Sequence, residues 1–488
     1  MSLFRLIVPL VALALAGCSR DNDGALEVVF IDSAENLFET GLRLSSGAQH
    51  VRAATESGLV ALNAEGEVVP ALADRWIVTD DGSSFIFRLR DGTWPDGSEL
   101  TAESVRAELR SAIRALRGTS LGLDLAPIEE VRAMAGRVVE IRLSSPVPML
   151  LQILAQPELA LSRGEGGSGP MTIERDGERA TLEMKPPEER GIPTERNWER
   201  RIRPLEIRAA DAAEAIELFK FGHLDLVLGG GIDALPLADM GPLSRGTVRI
   251  DAAIGLFGLQ VRNADGLLAT AQGREAIAMA IDRPALIEPF NIGGWIATTR
   301  LVTPGLPGDP GYVAERWTTQ TLADVRDEAA RRVAAWRAAN EGAEAHLSLF
   351  LPHGPGFDIL FRELSAHLNS VGIRLERVAV SDDADLVLID RVARYADARW
   401  YLNQFHCSLK AGLCSSEADA LVRDSIVQTD PAAKASLLAQ AEIELTRANV
   451  FVPIGTPVRF SLVRGQVAGF VGNAWAFHPL PPLAVIPR

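Results

Sequence analysis

The stretch that decides the fold is Pro70–Val105, which reads PALADRWIVTDDGSSFIFRLRDGTWPDGSELTAESV. Its middle part alternates apolar and polar side chains, which predicts a half-buried strand. Turn-forming Asp-Gly pairs stand on both sides of this strand. The alternating apolar residues are Phe85, Phe87 and Leu89, and the turns are Asp80-Asp81-Gly82 and Pro95-Asp96-Gly97. The stretch therefore predicts a small α/β unit that begins with a strand between two turns.

The end of the same stretch predicts the start of a helix. Thr101 is a suitable N-cap, because its hydroxyl can accept a hydrogen bond from a backbone N–H in the first turn. Ser104 follows three residues later, and Glu103 places a negative charge near the helix N-terminus. The apolar residues after it recur at helical spacing to about Arg117, which predicts one buried face.

Composition and charge are those of a globular chain without a basic face. The chain has 488 residues, of which 47% are hydrophobic and 23% charged, and its formal net charge is −15. This length predicts several domains or one large two-lobed body. The acidic balance disfavours nucleic acid as a partner. The spacings typical of zinc proteases, serine hydrolases and P-loop ATPases are absent from the sequence, so an enzyme is the weakest hypothesis and no cofactor is expected.

The N-terminus predicts export. Arg5 precedes an apolar run, Leu6–Ala16, that is short for a membrane span and typical of a signal peptide. We interpret residues 1–17 as the signal peptide, Cys18 as a lipidated residue and 18–24 as a polar tether, since Leu15-Ala16-Gly17-Cys18 looks like a bacterial lipobox. The alternative is an ordinary signal peptide followed by an incidental cysteine.

The remaining cysteines, Cys407 and Cys414, form an even pair in a chain predicted to be exported. An oxidising compartment favours a disulfide between them. Two free buried thiols or a metal site are the alternatives. The metal site has little support, because His406 is the single adjacent ligand type.

In its second half, the chain alternates predicted strands and helices. This order predicts an α/β lobe with a mainly parallel sheet. A helix is predicted to begin at Thr429-Asp430-Pro431, with proline in its first turn. The acidic residues Asp382, Asp383 and Asp385 lie between two predicted strands, and we interpret them as a solvated loop rather than a metal site.

The order P-x-L-A-x-x-W, D-D-G, F-x-L-R-D-G and D-G-S-x-L-T-A-E-S-V in the opening stretch resembles the signature region of extracellular solute-binding proteins of the peptide/nickel ABC-transporter class (solute-binding protein family 5). A second block at 274–287, REAIAMAIDRPALI, is similar to the same family. The resemblance implies an α/β, bilobal periplasmic-binding-protein-like fold (type II, cluster C) with an extra small subdomain. The implied divisions are 25–50, 160–255 and 460–488 for lobe I, 51–159 for the small subdomain and 256–459 for lobe II.

The resemblance also implies a function. Such a protein is the substrate-binding component of an ABC importer: it captures a short peptide by lobe closure and delivers it to an inner-membrane permease served by a separate ATPase. It is expected to be a monomer at the periplasmic face of the envelope. By family rules, Ser19 after the lipidated cysteine favours the outer membrane. The alternatives are a nickel complex, an oligosaccharide or another solute as the ligand, and a non-transport envelope lipoprotein with a degenerated cleft.

The best candidate for a ligand-binding segment is Tyr395–Phe405, which concentrates aromatic residues in a chain with only three tyrosines. It resembles the segment Y-x-D-P-x-x-(F/W)-L of peptide-binding members. That match implies that Asp397 pairs with the α-amino group of a peptide, and Tyr395, Trp400 and Tyr401 are candidate walls. The alternative is a surface loop in which Asp397 pairs with Arg394 or Arg399. Ala398 stands where the family has proline.

A second candidate is the end of the first predicted strand, at Asp32 and Ser33. In peptide binders of this family, the chain there offers backbone groups to an extended ligand. The Leu-Asp-Pro that usually follows is absent here. A plain strand end is the alternative to ligand contact.

Overall fold

The computed structural model describes residues 24–486 except 165, 195, 240–245 and 307–308. The predicted signal peptide at 1–17, the lipidated Cys18 and Ser19 lie outside the described residues. Within them, no helix combines the length and apolar character needed to cross a bilayer.

The strands are short and are distributed along the whole chain. They are β1 (Leu26–Ile31), β2 (Val60–Leu62), β3 (Val68–Pro70), β4 (Ala73–Val78), β5 (Ser84–Leu89), β6 (Ile128–Ala133), β7 (Val138–Leu143), β8 (Met171–Asp176), β9 (Arg179–Met184), β10 (Leu205–Ala210), β11 (Leu226–Gly231), β12 (Val248–Asp251), β13 (Gly255–Val261), β14 (Ala345–Phe350), β15 (Ile373–Val378), β16 (Leu386–Val392), β17 (Phe451–Gly455) and β18 (Arg459–Val463).

The α-helices flank these strands and are longest in the second half of the chain. They are α1 (Ala34–Leu37), α2 (Ser46–Thr55), α3 (Ala102–Ala115), α4 (Ser120–Asp124), α5 (Leu150–Leu154), α6 (Ala212–Lys220), α7 (Ala271–Ala280), α8 (Arg283–Ile287), α9 (Leu322–Ala339), α10 (Pro355–Asn369), α11 (Ala398–Asn403), α12 (Ser416–Ile426), α13 (Pro431–Ala448) and α14 (Leu480–Leu483).

The decisive stretch folds as its pattern predicts. Phe85, Phe87 and Leu89 of β5 are all buried, so the alternation does mark the core face of the strand. Thr101 and Ser104 form a capping box at the start of α3, in which each side chain accepts a hydrogen bond from the backbone N–H of the other. The Ser104 hydroxyl also accepts a hydrogen bond from the buried indole N–H of Trp94 at 2.8 Å. The helix cap is therefore tied directly to the turn before it.

A seven-stranded sheet has the order β12-β18-β11-β1-β10-β9-β8. Strand β1 lies parallel to both β10 and β11, while β8, β9, β12 and β18 pair antiparallel with their neighbours. The chain leaves this sheet after β12 and returns to it as β18. A separate four-stranded antiparallel sheet has the order β4-β5-β7-β6.

A five-stranded sheet has the order β15-β14-β16-β13-β17. The prediction that this sheet is mainly parallel is wrong. Strand β14 is parallel to β15 and β16, but β13 runs antiparallel to both β16 and β17. Hydrophobic periodicity gives the face of a strand and not its direction, so the sequence pattern does not distinguish these arrangements.

The four-stranded sheet shares its core with α11, α12 and α13. A continuous cluster of buried side chains runs from Phe87 and Trp94 through Leu154 to Trp400 and Leu438. The five-stranded sheet and the seven-stranded sheet each have cores of their own. The region that contains the opening stretch therefore packs against the helices that follow β16.

The predicted disulfide is present. Cys407 and Cys414 are bonded, and their Cα atoms are 5.2 Å apart. The backbone N–H of Cys407 donates to the carboxylate of Asp419 on α12 at 3.0 Å. The bonded loop is thereby joined to the helix that follows it.

Candidate functional site

The chain passes between the two larger sheets where β12 leads to β13 and where β17 leads to β18. An ion pair bridges the sheets at the second passage. Arg459 of β18 donates to the carboxylate of Asp390 on β16 at 2.8 Å and to its backbone carbonyl at 3.1 Å. Burial raises the pKa of Asp390, and the charge of Arg459 opposes that rise. This pair links the ends of strands from both sheets close to residue 459, where the family resemblance implies the boundary between lobe II and lobe I.

Asp397 begins the short helix α11. One of its carboxylate oxygens accepts the backbone N–H of Arg399 at 2.8 Å, which makes it the N-cap residue. The residue is half-buried and lines a cavity of about 320 Å³. Lys434 lines the same cavity, but its ammonium donates to the carbonyl of Pro146 at 2.8 Å. We call this space the Asp397 cavity.

The aromatic residues of the candidate segment lie in the interior. Tyr395, Trp400 and Tyr401 are 1%, 4% and 0% exposed. The rings of Trp400 and Tyr401 meet edge to face, with centroids 4.8 Å apart, and the Tyr401 hydroxyl donates to Thr303 at 2.9 Å. The structure thus places these rings in the core around α11, while Asp397 reaches a cavity. Their contact with a ligand stays a prediction.

Asp32 is held by local hydrogen bonds. Its carboxylate accepts from the backbone N–H of Ser33 at 2.8 Å, from the amide of Asn36 at 3.0 Å and from the hydroxyl of Ser45 at 2.7 Å. Ser33 is the N-cap of α1. These bonds join the end of β1 to α1 and α2, as expected for residues that only connect a strand to the following helices. Ligand contact at Asp32 and Ser33 also stays a prediction.

Sequence reasoning missed a buried carboxylate beside the candidate segment. Asp124, at the end of α4, is 2% exposed and accepts a hydrogen bond from Asn403 of α11 at 2.6 Å. The guanidinium of Arg399 donates to the backbone carbonyls of Leu123 and Asp124. Burial raises the pKa of Asp124 to about 7, although Arg399 and Asn403 oppose the rise. Asp124 and Asn403 are 279 positions apart, and no local pattern reports such a contact.

Two arginines stand at the end of β16; sequence reasoning missed Arg391 and considered Arg394 only as a partner of Asp397. Arg394 donates to the side chains of Gln156 at 3.1 Å and Glu158 at 2.9 Å, and so reaches the region of the four-stranded sheet. Arg391 is exposed and donates to the side-chain oxygen of Gln404 at 2.9 Å. The part of Arg391 near its guanidinium is enclosed by neighbouring residues, which lowers its pKa, and the charge of Arg394 adds to this. Arg391 has no carboxylate within ion-pair distance among the described residues, so it offers a cation to an anionic group.

The groups around α11 are of kinds that bind charged and apolar parts of a ligand. Among the described residues, no group of three or more histidine, cysteine, aspartate or glutamate side chains is arranged to hold a metal ion. Asp385 of the acidic loop is used internally, since it accepts hydrogen bonds from Ser348 and Asn263. The arrangement at α11 combines one half-buried carboxylate, an exposed guanidinium and apolar packing.

Two curated periplasmic proteins are similar to this chain. The chain is 34% identical over 128 residues to the probable deoxycholate-binding periplasmic protein YgiS of Escherichia coli (strain K12), covering 21% of this chain and 22% of that protein. The chain thus matches about a fifth of the length of that relative. It is 21% identical over 484 residues to the periplasmic oligopeptide-binding protein OppA of Salmonella typhimurium, covering 85% of this chain and 84% of that protein.

Solved structures show the same fold. The Haemophilus influenzae OppA complex with RPPGFSPFR has a TM-score of 0.79 at 17% identity, covering 95% of this chain and all of that one. The Escherichia coli murein tripeptide binding protein MppA has a TM-score of 0.78 at 15% identity, covering 95% of this chain and 99% of that one. These likenesses confirm the predicted bilobal α/β fold.

A family comparison covers most of the chain. Residues 67–410 match the family described as bacterial extracellular solute-binding proteins, family 5 middle. This range includes both blocks on which the sequence resemblance rests, the four-stranded sheet and α11. The chain belongs to the bacterial extracellular solute-binding proteins of family 5.

Proposed function

We propose that this protein is the substrate-binding subunit of an ABC importer and that its ligand is a short peptide. The observation that carries the proposal is the half-buried Asp397 carboxylate, which lines a cavity in a chain of this family. One of its oxygens caps α11, and the other has no hydrogen bond to a described residue. A carboxylate held in this way suits the ammonium group of a peptide. The exposed Arg391 is a candidate partner for the peptide's carboxylate.

Uptake requires a change of state that depends on the ligand. In the proposed mechanism, the peptide binds between the lobes and favours their closed arrangement, which is the form that docks on a permease. In this mechanism, the chain bends at the passages between β12 and β13 and between β17 and β18. A separate ATPase subunit supplies the energy for transport.

The first test measures peptide binding by calorimetry on the delipidated protein. Dipeptides and tripeptides with free termini are expected to bind, and Asp397→Asn should weaken them by about tenfold or more, since a hydrogen bond to a charged group contributes about 1.5–3 kcal/mol. Asparagine remains a good N-cap, so α11 should stay intact. Asp382→Asn, on an exposed loop, is the matched control. N-acetylated peptides should bind both variants equally.

Two results would count against this proposal. Equal affinity of wild type and Asp397→Asn for free-amine peptides removes Asp397 as the anchor. If no peptide in the library binds and the circular dichroism spectrum is unchanged, the peptide hypothesis is excluded. The other ligand classes and the non-transport lipoprotein then remain as hypotheses.

We also infer that Cys18 carries a lipid that anchors the protein to the envelope; retention at the outer membrane, which Ser19 favours, would support the non-transport lipoprotein over the importer. Cys18→Ser should move the protein from the membrane fraction to the periplasmic fraction, because the acyl chains supply the anchoring free energy at about 0.8 kcal/mol per buried CH₂. Separating the inner and outer membranes shows which of them holds the protein, and so tests whether Ser19 directs it to the outer membrane. Unchanged membrane association of the Cys18→Ser protein would show that it is held by something other than this lipid.

A further inference from the structure

A second cavity lies apart from the Asp397 cavity. It has a volume of about 300 Å³, opens to solvent and is bounded by α2, β2, β3, residues 155–160 and the C-terminal tail from Phe477. We call it the tail cavity. The two cavities have no lining residue in common. Its size is in the range of small-molecule sites.

The walls of the tail cavity are apolar and stiff. Val60, Leu62, Val69 and Phe477 are among the residues that line it. Proline has no backbone N–H and a nearly fixed φ, so a proline-rich wall presents few hydrogen-bond donors and little freedom to collapse. The prolines that line the cavity are Pro70, Pro157, Pro170, Pro479, Pro481 and Pro482. A ligand here therefore needs an apolar body.

Two arginines line this apolar space without carboxylate partners. Arg90 donates to the backbone carbonyl of Glu189 at 3.2 Å, and Arg190 donates to that of Lys185 at 2.9 Å. The Nε of Arg90 is buried and has no hydrogen-bond partner among the described residues. Neither guanidinium lies within ion-pair distance of a described carboxylate. Burial lowers the pKa of both, which means that each charge is partly desolvated.

The remaining charges do not neutralise these arginines. Glu56 lines the cavity, but its carboxylate pairs with Arg52 on the same helix at 3.4 Å. Lys185 stands close enough to Arg90 for their charges to repel, and its ammonium donates to the carbonyl of Gly167 at 2.8 Å. The charge of Glu189 attracts the ammonium of Lys185 and opposes the fall of its pKa on burial. The local balance therefore favours an anion.

We propose that the tail cavity is a second binding site that takes an amphipathic monocarboxylate, with its apolar body against the proline-rich walls and its carboxylate on Arg90 and Arg190. Guanidinium groups suit a carboxylate because their planar donors match its two oxygens. The site is separate from the proposed peptide site, and its occupancy does not depend on which ligand the Asp397 cavity takes.

Calorimetric titration of the full chain with decanoate, below its micelle concentration, tests the proposal. Decanoate should bind at one site, and Arg90→Gln combined with Arg190→Gln should weaken it by about tenfold or more. Arg88→Gln is the matched control, because Arg88 is exposed on β5 two positions from Arg90. Ala53→Phe places a ring into the cavity from α2 and should also abolish binding. Decyltrimethylammonium, with the same tail and the opposite charge, should bind at least about tenfold more weakly.

Each contrary outcome overturns the proposal. Equal binding of decanoate and decyltrimethylammonium would show an apolar surface without anion recognition. Unchanged decanoate affinity in Ala53→Phe would place the ligand elsewhere. This variant keeps both arginines, so it tests the site even if the double variant does not fold. Displacement of decanoate by a peptide would place it in the peptide site. Arg90→Gln is expected to bind peptides with the same affinity as wild type. A failure of the decanoate test therefore leaves the proposed peptide-binding function unaffected.

Discussion

Replacing Glu442 by glutamine should lower the free energy of unfolding by about 3 kcal/mol, because removal of one partner of a buried ion pair leaves the other charge uncompensated. Glu442 on α13 is 2% exposed, and its carboxylate accepts two hydrogen bonds from Arg300, at 3.3 and 3.0 Å. It also accepts the backbone N–H of Val302 at 3.1 Å. Asp309 bonds the remaining side of Arg300 at 2.8 Å.

The charge of Arg300 depends on these carboxylates. Burial opposes the charged form of Arg300, yet its hydrogen bonds to Glu442 and Asp309 raise its pKa. Glutamine has almost the volume of glutamate but carries no charge and turns an amide toward the guanidinium. The three residues also line the Asp397 cavity, so their loss should loosen a wall of the candidate site.

The matched control for this prediction is Glu444→Gln, two residues along the same helix. Glu444 pairs with Arg447, whose side chain is 72% exposed, and such surface pairs contribute about 0.5 kcal/mol or less. Urea unfolding followed by circular dichroism compares the two variants. Equal midpoints for Glu442→Gln and Glu444→Gln would show that the buried network does not stabilise the chain.

Replacing Asp124 by asparagine should change how stability depends on pH. The pKa of Asp124 is about 7 in the folded chain and about 3.9 in the unfolded chain. Between these values the folded chain holds a proton that the unfolded chain has lost. The unfolding free energy therefore falls as pH rises from about 4 to 7 and is level above that range. Asparagine cannot ionise, so this fall should disappear.

The expected size follows from the two pKa values. Between pH 5 and pH 8, the stability of Asp124→Asn relative to wild type should rise by about 2.5 kcal/mol. Asparagine can still accept the hydrogen bond from Asn403. Asp424→Asn, at a side chain that is 63% exposed, should leave the wild-type profile unchanged. Parallel urea-unfolding profiles for wild type and Asp124→Asn across this range would contradict the prediction.

Local patterns predicted local structure well. The alternation of Phe85 and Phe87 gave the buried face of β5, and Thr101 was correctly predicted as an N-cap. Asp430 caps α13, which begins at Pro431 as the sequence predicts. In each case the signal and the structure lie within a few residues of each other, so short-range hydrogen bonds and periodicity are sufficient.

Contacts between distant residues were not predictable in this way. Arg300 and Glu442 are 142 positions apart, and the pair formed by Asp124 and Asn403 connects elements that are farther apart still. The aromatic side chains of Trp400 and Tyr401 show a second limit of prediction from sequence. Their concentration in one segment indicated a pocket, but the same residue types are equally suited to a core, and the pattern alone does not decide which surrounds them.

The position of β18 has a consequence for synthesis and secretion. This strand comes from residues 459–463, yet it lies between β11 and β12 inside the seven-stranded sheet, with β1 just beyond β11. A nascent chain cannot complete that sheet until nearly all of its length has left the ribosome, and pairings so distant in sequence form slowly. Late folding of this kind keeps the chain unfolded for longer, which is the condition in which a polypeptide can be threaded through a translocation pore.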